Sequence, residues 1–396
     1  MVVVFCPFAA GYYLSYFYRY VNAVIAKDLV ADFGIVPADL GLLTGAYFLS
    51  FALAQIPLGV ALDRFGPRRC TAALFCVAAA GALTFGLARD LAMLTWGRAL
   101  IGLGVSAGLM GSIKAFTLWF PRERLTSLSG WMIGIGSVGT LTATAPVEAL
   151  LGPLGWRALF LGLAALSLVA ALLIFFIVPE RALPGRGETW REQVAVMGRI
   201  FTRLDFWRLA APLVISQASF QALQGLWFAP WLADVHGLDR SATADTLFVS
   251  AAAYMIASFA LGPLTDRLTR RGIGPLRVYQ AGMLLCAAAF APLAFGAPGV
   301  TVVLAVFAAT SIAAIIAYAL LTHIVPPAQT GRVTTASNLL LFGTSFTVQW
   351  GVGAVLGLWP SAGGRYAPEA YRFAFGLLLA AQAAAAAWLL TAKARP

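Results

Sequence analysis

Long apolar stretches recur along the whole chain and are separated by short polar segments. Most are about 20 residues long, the length at which an α-helix crosses a hydrocarbon core of about 30 Å. The pattern predicts twelve membrane-spanning helices, which makes the chain an all-α polytopic membrane protein. These helices are predicted at 4–26, 40–62, 71–88, 91–118, 125–150, 157–178, 207–233, 242–263, 276–296, 300–324, 333–358 and 371–392.

Composition supports a chain whose surface mostly faces lipid. Hydrophobic residues make up 61% of it and charged residues 11%, whereas a soluble domain carries about 25% charged residues. The four cysteines form no C-x-x-C pair, so neither a metal site nor a disulfide framework is expected, and no cofactor motif is present.

The basic residues are distributed unevenly between the two sides of the membrane. Of 27 Lys and Arg residues, 18 fall in the even-numbered loops and the C-terminus and six on the other side. This asymmetry predicts a multi-pass protein of the inner membrane with both termini in the cytoplasm, and it argues against nucleic acid as a partner despite the net charge of +11. The remaining three, Arg19, Arg98 and Lys114, lie within predicted helices.

Two short patterns occur twice at nearly the same offset. The G-x-x-x-D-R spacing of residues 59–64 returns at 262–267, an offset of 203, and the segment 124–130 is echoed at 332–338, an offset of 208. Together they predict an internal duplication.

The duplication predicts two pseudo-symmetric six-helix bundles, residues 1–179 and 207–396, joined by a polar, basic cytoplasmic linker at 180–206. Many transporters use duplicated halves to alternate access to a site near the middle of the membrane. The organisation therefore favours transport.

Residues 59–69, Gly-Val-Ala-Leu-Asp-Arg-Phe-Gly-Pro-Arg-Arg, resemble the motif between helices two and three of the major facilitator superfamily. Residues 98–104, the Gly-Trp-Arg at 155–157 and the weaker copy at 262–267 add to the resemblance. It implies a transporter of a small solute, embedded in the bilayer, acting as a monomer and not as an enzyme.

The resemblance assigns a gating role to the motif. Gly59 would allow close helix approach, and Asp63 would lie near the positive N-terminal end of helix eleven, where it can latch one side shut. The alternative is that these residues only follow the positive-inside rule and cap a helix. The gating candidates are Gly59, Asp63, Arg64, Arg68, Arg69, Asp266 and Arg267.

The first helix resembles the organophosphate:phosphate antiporter branch, with an aromatic stretch from Tyr12, then Arg19, Asn22 and a later Asp-Leu-Gly at 39–41. In that branch the helix-one Arg binds phosphate, so the resemblance implies that Arg19 holds an anion. The branch's helix-two Lys falls on Gln55 here, and its helix-seven Arg has no counterpart. A monoanion such as a carboxylate therefore fits better than a phosphate dianion.

A mid-membrane arginine costs at least about 2.5–3.5 kcal/mol, so it normally faces a cavity or a partner. Helical spacing places Tyr12, Tyr16 and Arg19 on one face with Asn22 adjacent. We expect Arg19 to be the main anion anchor. The alternative is that Arg19 hydrogen-bonds carbonyl groups or pairs with a helix-end carboxylate such as Asp234.

Other polar residues within the helices are further candidates. Gln217, Gln221 and Gln224 share a helix-seven face with Trp227 close by, and their amides can bind substrate or hold helices together. Lys114 can reach a cavity or the membrane interface. Weaker substrate-contact candidates are Tyr254, Tyr318 and Gln349.

Two residues are candidates for proton coupling. Arg98 either ties to the helix-one backbone or takes part in proton transfer. His323 titrates near neutral pH, but it lies close to a turn, where an exposed side chain is the common outcome.

The sequence thus predicts a secondary transporter that moves a small organic anion across the inner membrane by alternating access, coupled to protons or by exchange. The first alternative is efflux of drug-like molecules, which the absence of the final glycines of the drug-antiporter pattern in helix five disfavours. The second alternative is transport of an inorganic anion such as nitrate, and a glycine-rich nitrate signature is not found. No motif supports a membrane-embedded enzyme or sensor.

Overall fold

The computed structural model describes residues 2–181, 190–326, 329–360 and 365–392. Nearly all of these residues are helical, and no β-strand occurs among them, which confirms the predicted all-α fold class. The basic residues Arg186, Lys393 and Arg395, counted above for the charge asymmetry, lie outside the described residues.

Twelve membrane-length segments follow one another along the described chain. They are α1 (Val2–Tyr20 continued by Asn22–Phe33), α2 (37–65), α3 (67–86), α4 (Leu91–Val105 and Ala107–Trp119), α5 (Arg122–Thr142 and 145–154), α6 (156–177), α7 (Leu204–Ala222, Leu223–Trp227 and Phe228–His236), α8 (Arg240–Arg270), α9 (Pro275–Ala294), α10 (Val300–Ser311, Ile312–Ile315 and Ile316–Thr322), α11 (Thr330–Leu356) and α12 (Pro368–Leu390).

Length and hydropathy alone mark eight helical stretches of the described residues as able to cross a membrane. One of them, Pro37–Gly86, holds two spans, because its backbone turns at Gly66. The broken helices α1 and α7 and the more polar α5 complete the twelve.

Two glycines let consecutive helices join without a loop. Gly66 (φ 80°) and Gly155 (φ 72°) have positive φ angles, which residues that carry a Cβ rarely adopt. Just after Gly155, the indole of Trp156 donates to Asp32 Oδ2 at 3.0 Å and Arg157 donates to the Ala88 carbonyl at 2.7 Å. These bonds fix the start of α6 against the ends of α1 and α3.

The chain forms two compact units. The first consists of Met1–Ile35 with Leu42–Gln193, and the second of Val36–Gly41 with Val194–Pro396. A separate helix, Trp190–Phe201, lies within the predicted linker. The predicted limits 1–179, 180–206 and 207–396 stay predictions, and residues 182–189 of the linker lie outside the described part of the chain.

Helix α4 approaches its neighbours through glycines. A Cβ on Gly102 would overlap the Tyr47 carbonyl of α2, and a Cβ on Gly104 would overlap the Ala78 backbone of α3. Small residues allow such close packing in lipid, where helices associate by van der Waals contact and not by the hydrophobic effect.

We therefore expect Gly104→Ala to destabilise the first unit by about 1–3 kcal/mol or more, which is the usual cost of overpacking. The backbone atoms that the Cβ would overlap cannot move aside as a side chain can. The matched control is Gly162→Ala on α6, where an added Cβ meets nothing within 4 Å. Thermal unfolding in detergent measures both. Equal midpoints for the two variants would contradict the packing assignment.

Candidate functional site

Arg19 is buried in the first unit, two residues before α1 is interrupted at Val21. Its guanidinium carbon lies 4.5 Å from the ring centre of Tyr16 and 5.5 Å from that of Phe51. The hydroxyl groups of Tyr20 and Tyr47 also interact with it. Aromatic faces attract a cation, and a guanidinium held in this way can also bind an anion.

Two other predicted residues of α1 hydrogen-bond to other side chains of the first unit. The Tyr12 hydroxyl donates to the Tyr16 hydroxyl at 3.3 Å. Asn22 begins the second part of α1 and is fully buried, and its Nδ2 donates to Thr44 Oγ1 at 3.1 Å. Its Oδ1 has no hydrogen-bond partner among the described residues.

Tyr47 on α2 joins the two buried arginines and was not predicted. Its hydroxyl donates to the Ser15 carbonyl at 3.0 Å and interacts with Arg19, while its ring centre lies 5.2 Å from the guanidinium carbon of Arg98. The available signal was the spacing of Tyr47, Phe51 and Gln55, which repeats every four residues and places a partly polar stripe on one face of α2.

Arg98 is fully buried in α4, and its Nη1 donates to the Tyr18 carbonyl of α1 at 3.0 Å. This is the tie to the helix-one backbone that one of the two interpretations expected. Nε and Nη2 of Arg98 have no hydrogen-bond partner among the described residues. The contact favours a structural role, although its part in proton coupling stays a prediction.

Lys114 forms an ion pair with Asp63 of the motif, with Nζ and Oδ1 2.7 Å apart and the two side chains 33% and 30% exposed. From the sequence, Lys114 was predicted to face a cavity or the membrane interface, and Asp63 was predicted to be a gating residue. An ion pair between them was not predicted. The pair joins the ends of α2 and α4 in the first unit.

Asp234, the alternative counterion for Arg19, has its own partners in the second unit. Its Oδ2 accepts hydrogen bonds from the Tyr371 hydroxyl at 2.9 Å and from the Tyr366 backbone N–H at 3.1 Å. Burial, together with this carboxylate, raises the pKa of Tyr366 to about 12. These contacts support a structural role for Asp234.

In the second unit, two of the three predicted amides hold helices together. Gln217 donates to the Ser311 carbonyl of α10 at 2.8 Å and accepts from the Tyr254 hydroxyl at 3.4 Å. Gln224 donates to the Leu247 carbonyl of α8 at 3.1 Å and accepts from Ser250 at 3.0 Å.

Other candidate side chains of the second unit keep unused hydrogen-bonding capacity. Oε1 of the buried Gln221, and both Oε1 and Nε2 of the fully buried Gln349, have no partner among the described residues. Trp227 donates its indole N–H to the Gln349 carbonyl at 2.8 Å. Tyr318 lies elsewhere, donating to Asn338 at 2.6 Å.

Helix interruptions recur at the offset of the sequence repeat. Helix α1 is interrupted at Val21, and α7 contains a π-helical turn at Leu223–Trp227. Helix α4 is interrupted at Ser106, and α10 contains a 3₁₀ turn at Ile312–Ile315. Such interruptions often mark functional sites. Here the interruption of α1 follows Arg19, and the π-helical turn of α7 follows Gln221 and contains Gln224.

The sequence profile of the Major Facilitator Superfamily matches residues 8–349. The chain belongs to this superfamily. It is a multi-pass membrane transporter, not an enzyme, as the sequence predicted; the resemblance to the organophosphate branch in helix one stays a prediction.

Relatives within the superfamily include several proteins named for anions. A probable sulfoacetate transporter of Cupriavidus necator is 24% identical over 74% of this chain and 72% of its own length. A probable L-galactonate transporter of Escherichia coli is 23% identical over 70% and 65%. A nitrate/nitrite transporter of Picosynechococcus is 26% identical, but over 51% of this chain and 42% of that protein.

Solved structures of the superfamily share the fold. A D-xylose–proton symporter superposes with a TM-score of 0.77 at 16% identity, covering 98% of this chain and 97% of the symporter. A bacterial homologue of the human lysosomal transporter Spinster, in an inward-facing and occupied conformation, gives 0.71 at 20% identity, covering 98% and 95%.

The two copies of the superfamily motif differ in their surroundings. In the first, Arg68 and Arg69 pair with Glu180 at 3.4 and 2.6 Å. In the second, Asp266 and Arg267 are exposed. The gating role of these residues, with that of Gly59 and Arg64, stays a prediction.

His323 follows α10 in a turn and is exposed. This is the outcome that the nearby turn favoured. Its part in coupling also stays a prediction.

Proposed function

We propose that this transporter moves a small organic anion, a carboxylate or a related monoanion, across the inner membrane by alternating access, coupled to protons or by exchange. The observation that carries the proposal is Arg19, a buried cation of α1 set against Tyr16 and Phe51 beside a helix interruption.

The chemistry of Arg19 suits a carboxylate. A guanidinium offers a planar fork of N–H donors to two oxygen atoms. The neighbouring groups are tyrosine hydroxyls and rings, which can bind the apolar or hydroxylated body of a substrate.

The relatives support an anion as well. Proteins named as sulfoacetate, L-galactonate and nitrate/nitrite transporters are similar to this chain, and each name denotes an anionic solute. The sulfoacetate and galactonate relatives match the larger share of the chain, which favours an organic anion over nitrate.

The proposal is tested by a thermal-shift screen of purified protein followed by flux into proteoliposomes. The panel contains sulfoacetate, galactonate and nitrate, with D-xylose as the neutral control. A bound anion at ten times its Kd stabilises the folded state by about 1.4 kcal/mol. We expect at least one organic anion to raise the midpoint and to be transported.

Two results would redirect the proposal. Stabilisation and flux with nitrate alone would favour the inorganic-anion alternative. Stabilisation by D-xylose and by no anion would contradict anion transport.

We further propose that the end of α8 at Arg270 faces the cytoplasm, as the distribution of basic residues predicts. The helix Arg240–Arg270 has 31 residues and is about 46 Å long, enough to cross the membrane. In a background without reactive cysteines, we expect an impermeant maleimide to label Ser241→Cys in intact cells and Thr269→Cys only after lysis. Both positions are exposed at opposite ends of one helix, so the reverse labelling would invert the topology.

A further inference from the structure

Two surface cavities of the first unit adjoin at the end of α2. One has a volume of about 430 Å³ and an almost wholly apolar lining, and the other, of about 400 Å³, is lined by several arginines. Phe65 and Arg69 line both. The unit therefore presents an apolar groove that leads directly into a basic pocket.

The apolar groove runs along one face of α2. Ala54, Pro57 and Ala61 lie on that face, and Ala73 of α3 and Leu103 of α4 are among the other residues that line the groove. From Ala54 to Phe65 the groove follows α2 for about 16 Å. An apolar groove of this length fits an extended hydrocarbon chain, and the bilayer supplies such chains.

The basic pocket carries four arginines and one carboxylate, Glu180. Arg68 donates Nε to the Phe175 carbonyl at 2.7 Å, and Arg181 donates to the Leu118 carbonyl, so these two are held against the protein. Arg69 pairs with Glu180 but keeps 59% of its side chain exposed.

Arg64 is exposed, with its guanidinium carbon 5.3 Å from the ring centre of Phe65. Arg64 and Arg69 thus present positive charge in the basic pocket close to Phe65, which lines both cavities. The excess of arginine over glutamate leaves the pocket with a net positive charge.

We propose that this paired feature is a binding site for an anionic phospholipid, separate from the transport site. One acyl chain occupies the groove between α2, α3 and α4, and the headgroup phosphate binds Arg64 and Arg69. A zwitterionic lipid fills the groove equally well but gains less from the pocket, because its own cation offsets the phosphate. A free anion leaves the groove unused.

Native mass spectrometry of the purified full chain tests the site, with phosphatidylglycerol and phosphatidylcholine carrying identical oleoyl chains as probes. We expect tighter binding of phosphatidylglycerol. Arg64→Gln with Arg69→Gln should reduce that preference by about fivefold for each arginine, since a basic residue near an anionic surface contributes about 1 kcal/mol. Arg64→Gln alone, an exposed change, keeps the test usable if the double variant folds poorly.

The matched control removes two exposed arginines at the end of α8, Arg267→Gln with Arg270→Gln, and should keep the wild-type preference. A second variant, Ala61→Phe, fills the groove and should weaken both lipids. Equal binding of the two lipids by the wild type, loss of preference in the control, or phosphatidylglycerol binding unaffected by Ala61→Phe would each overturn the proposal.

Discussion

Replacement of Arg19 by alanine is expected to weaken anion binding strongly while leaving the protein folded. A hydrogen bond to a charged group contributes about 1.5–3 kcal/mol, so the loss in affinity should be about 10- to 150-fold. Arg19→Lys should restore part of it, because an ammonium is a point charge and cannot replace the planar fork. Titration calorimetry with the anion that stabilises the wild type measures each affinity.

The contacts of other polar residues provide matched controls. Arg98→Ala should mainly lower the unfolding temperature and should have only a small effect on anion affinity, because Arg98 donates a hydrogen bond to the Tyr18 carbonyl. Gln221→Ala should weaken binding by less than Arg19→Ala, since a neutral hydrogen bond contributes about 0.5–1.5 kcal/mol. Gln217→Ala and Gln224→Ala should mainly lower stability, because their amides bond neighbouring helices. Wild-type affinity in folded Arg19→Ala protein would refute the anchor role and favour structural pairing.

The second large effect concerns the Asp63–Lys114 pair. Asp63→Asn should sharply reduce transport with little change in substrate binding, because the pair lies at the ends of α2 and α4 and the superfamily motif implies gating there. Lys114→Ala should give the same result. A double-mutant cycle on the unfolding free energy should show coupling on the order of 1 kcal/mol, as for a partly exposed pair.

The same variants separate gating from substrate contact at Lys114. If Lys114 binds the anion, Lys114→Ala will weaken binding whereas Asp63→Asn will not, and the two changes will not be coupled. Proteoliposome flux and binding in detergent, measured on the same preparations, distinguish these outcomes. The charge-exchanged double variant, Asp63→Lys with Lys114→Asp, should recover the free energy of unfolding that the single variants lose, if the ion pair is the only stabilising contact of these two side chains.

Local signals were enough to predict the fold and part of the site. Apolar stretches located the spans, and the motif at residues 59–69 marked the connection between α2 and α3. Arg19 was recognisable because a mid-membrane cation is costly and therefore functional or paired. Each of these signals lies within one helix or one turn.

The partners across helices were not predictable from such signals. Tyr47 reaches Arg19 and Arg98, and Lys114 reaches Asp63, only after α2 packs against α1 and α4. The π-helical turn in α7 inserts an extra residue, which changes the direction of the amides that a regular 3.6-residue period aligns on one face. Gln217 and Gln224 therefore bond different neighbours, whereas the simple helical pattern grouped them.

The interrupted helices carry a consequence for the origin of the protein. Arg19 and Gln221 are 202 residues apart, as are Asn22 and Gln224. Arg19 and Asn22 lie on either side of the interruption at Val21, Gln221 precedes the π-helical turn Leu223–Trp227, and Gln224 lies within it. A backbone irregularity that recurs at nearly the offset of the repeat is what the predicted duplication of one shorter ancestor would leave in both halves. The side chains beside it would then have diverged, with a cation in one half and an amide in the other. On that prediction, the interruption is older than the charge.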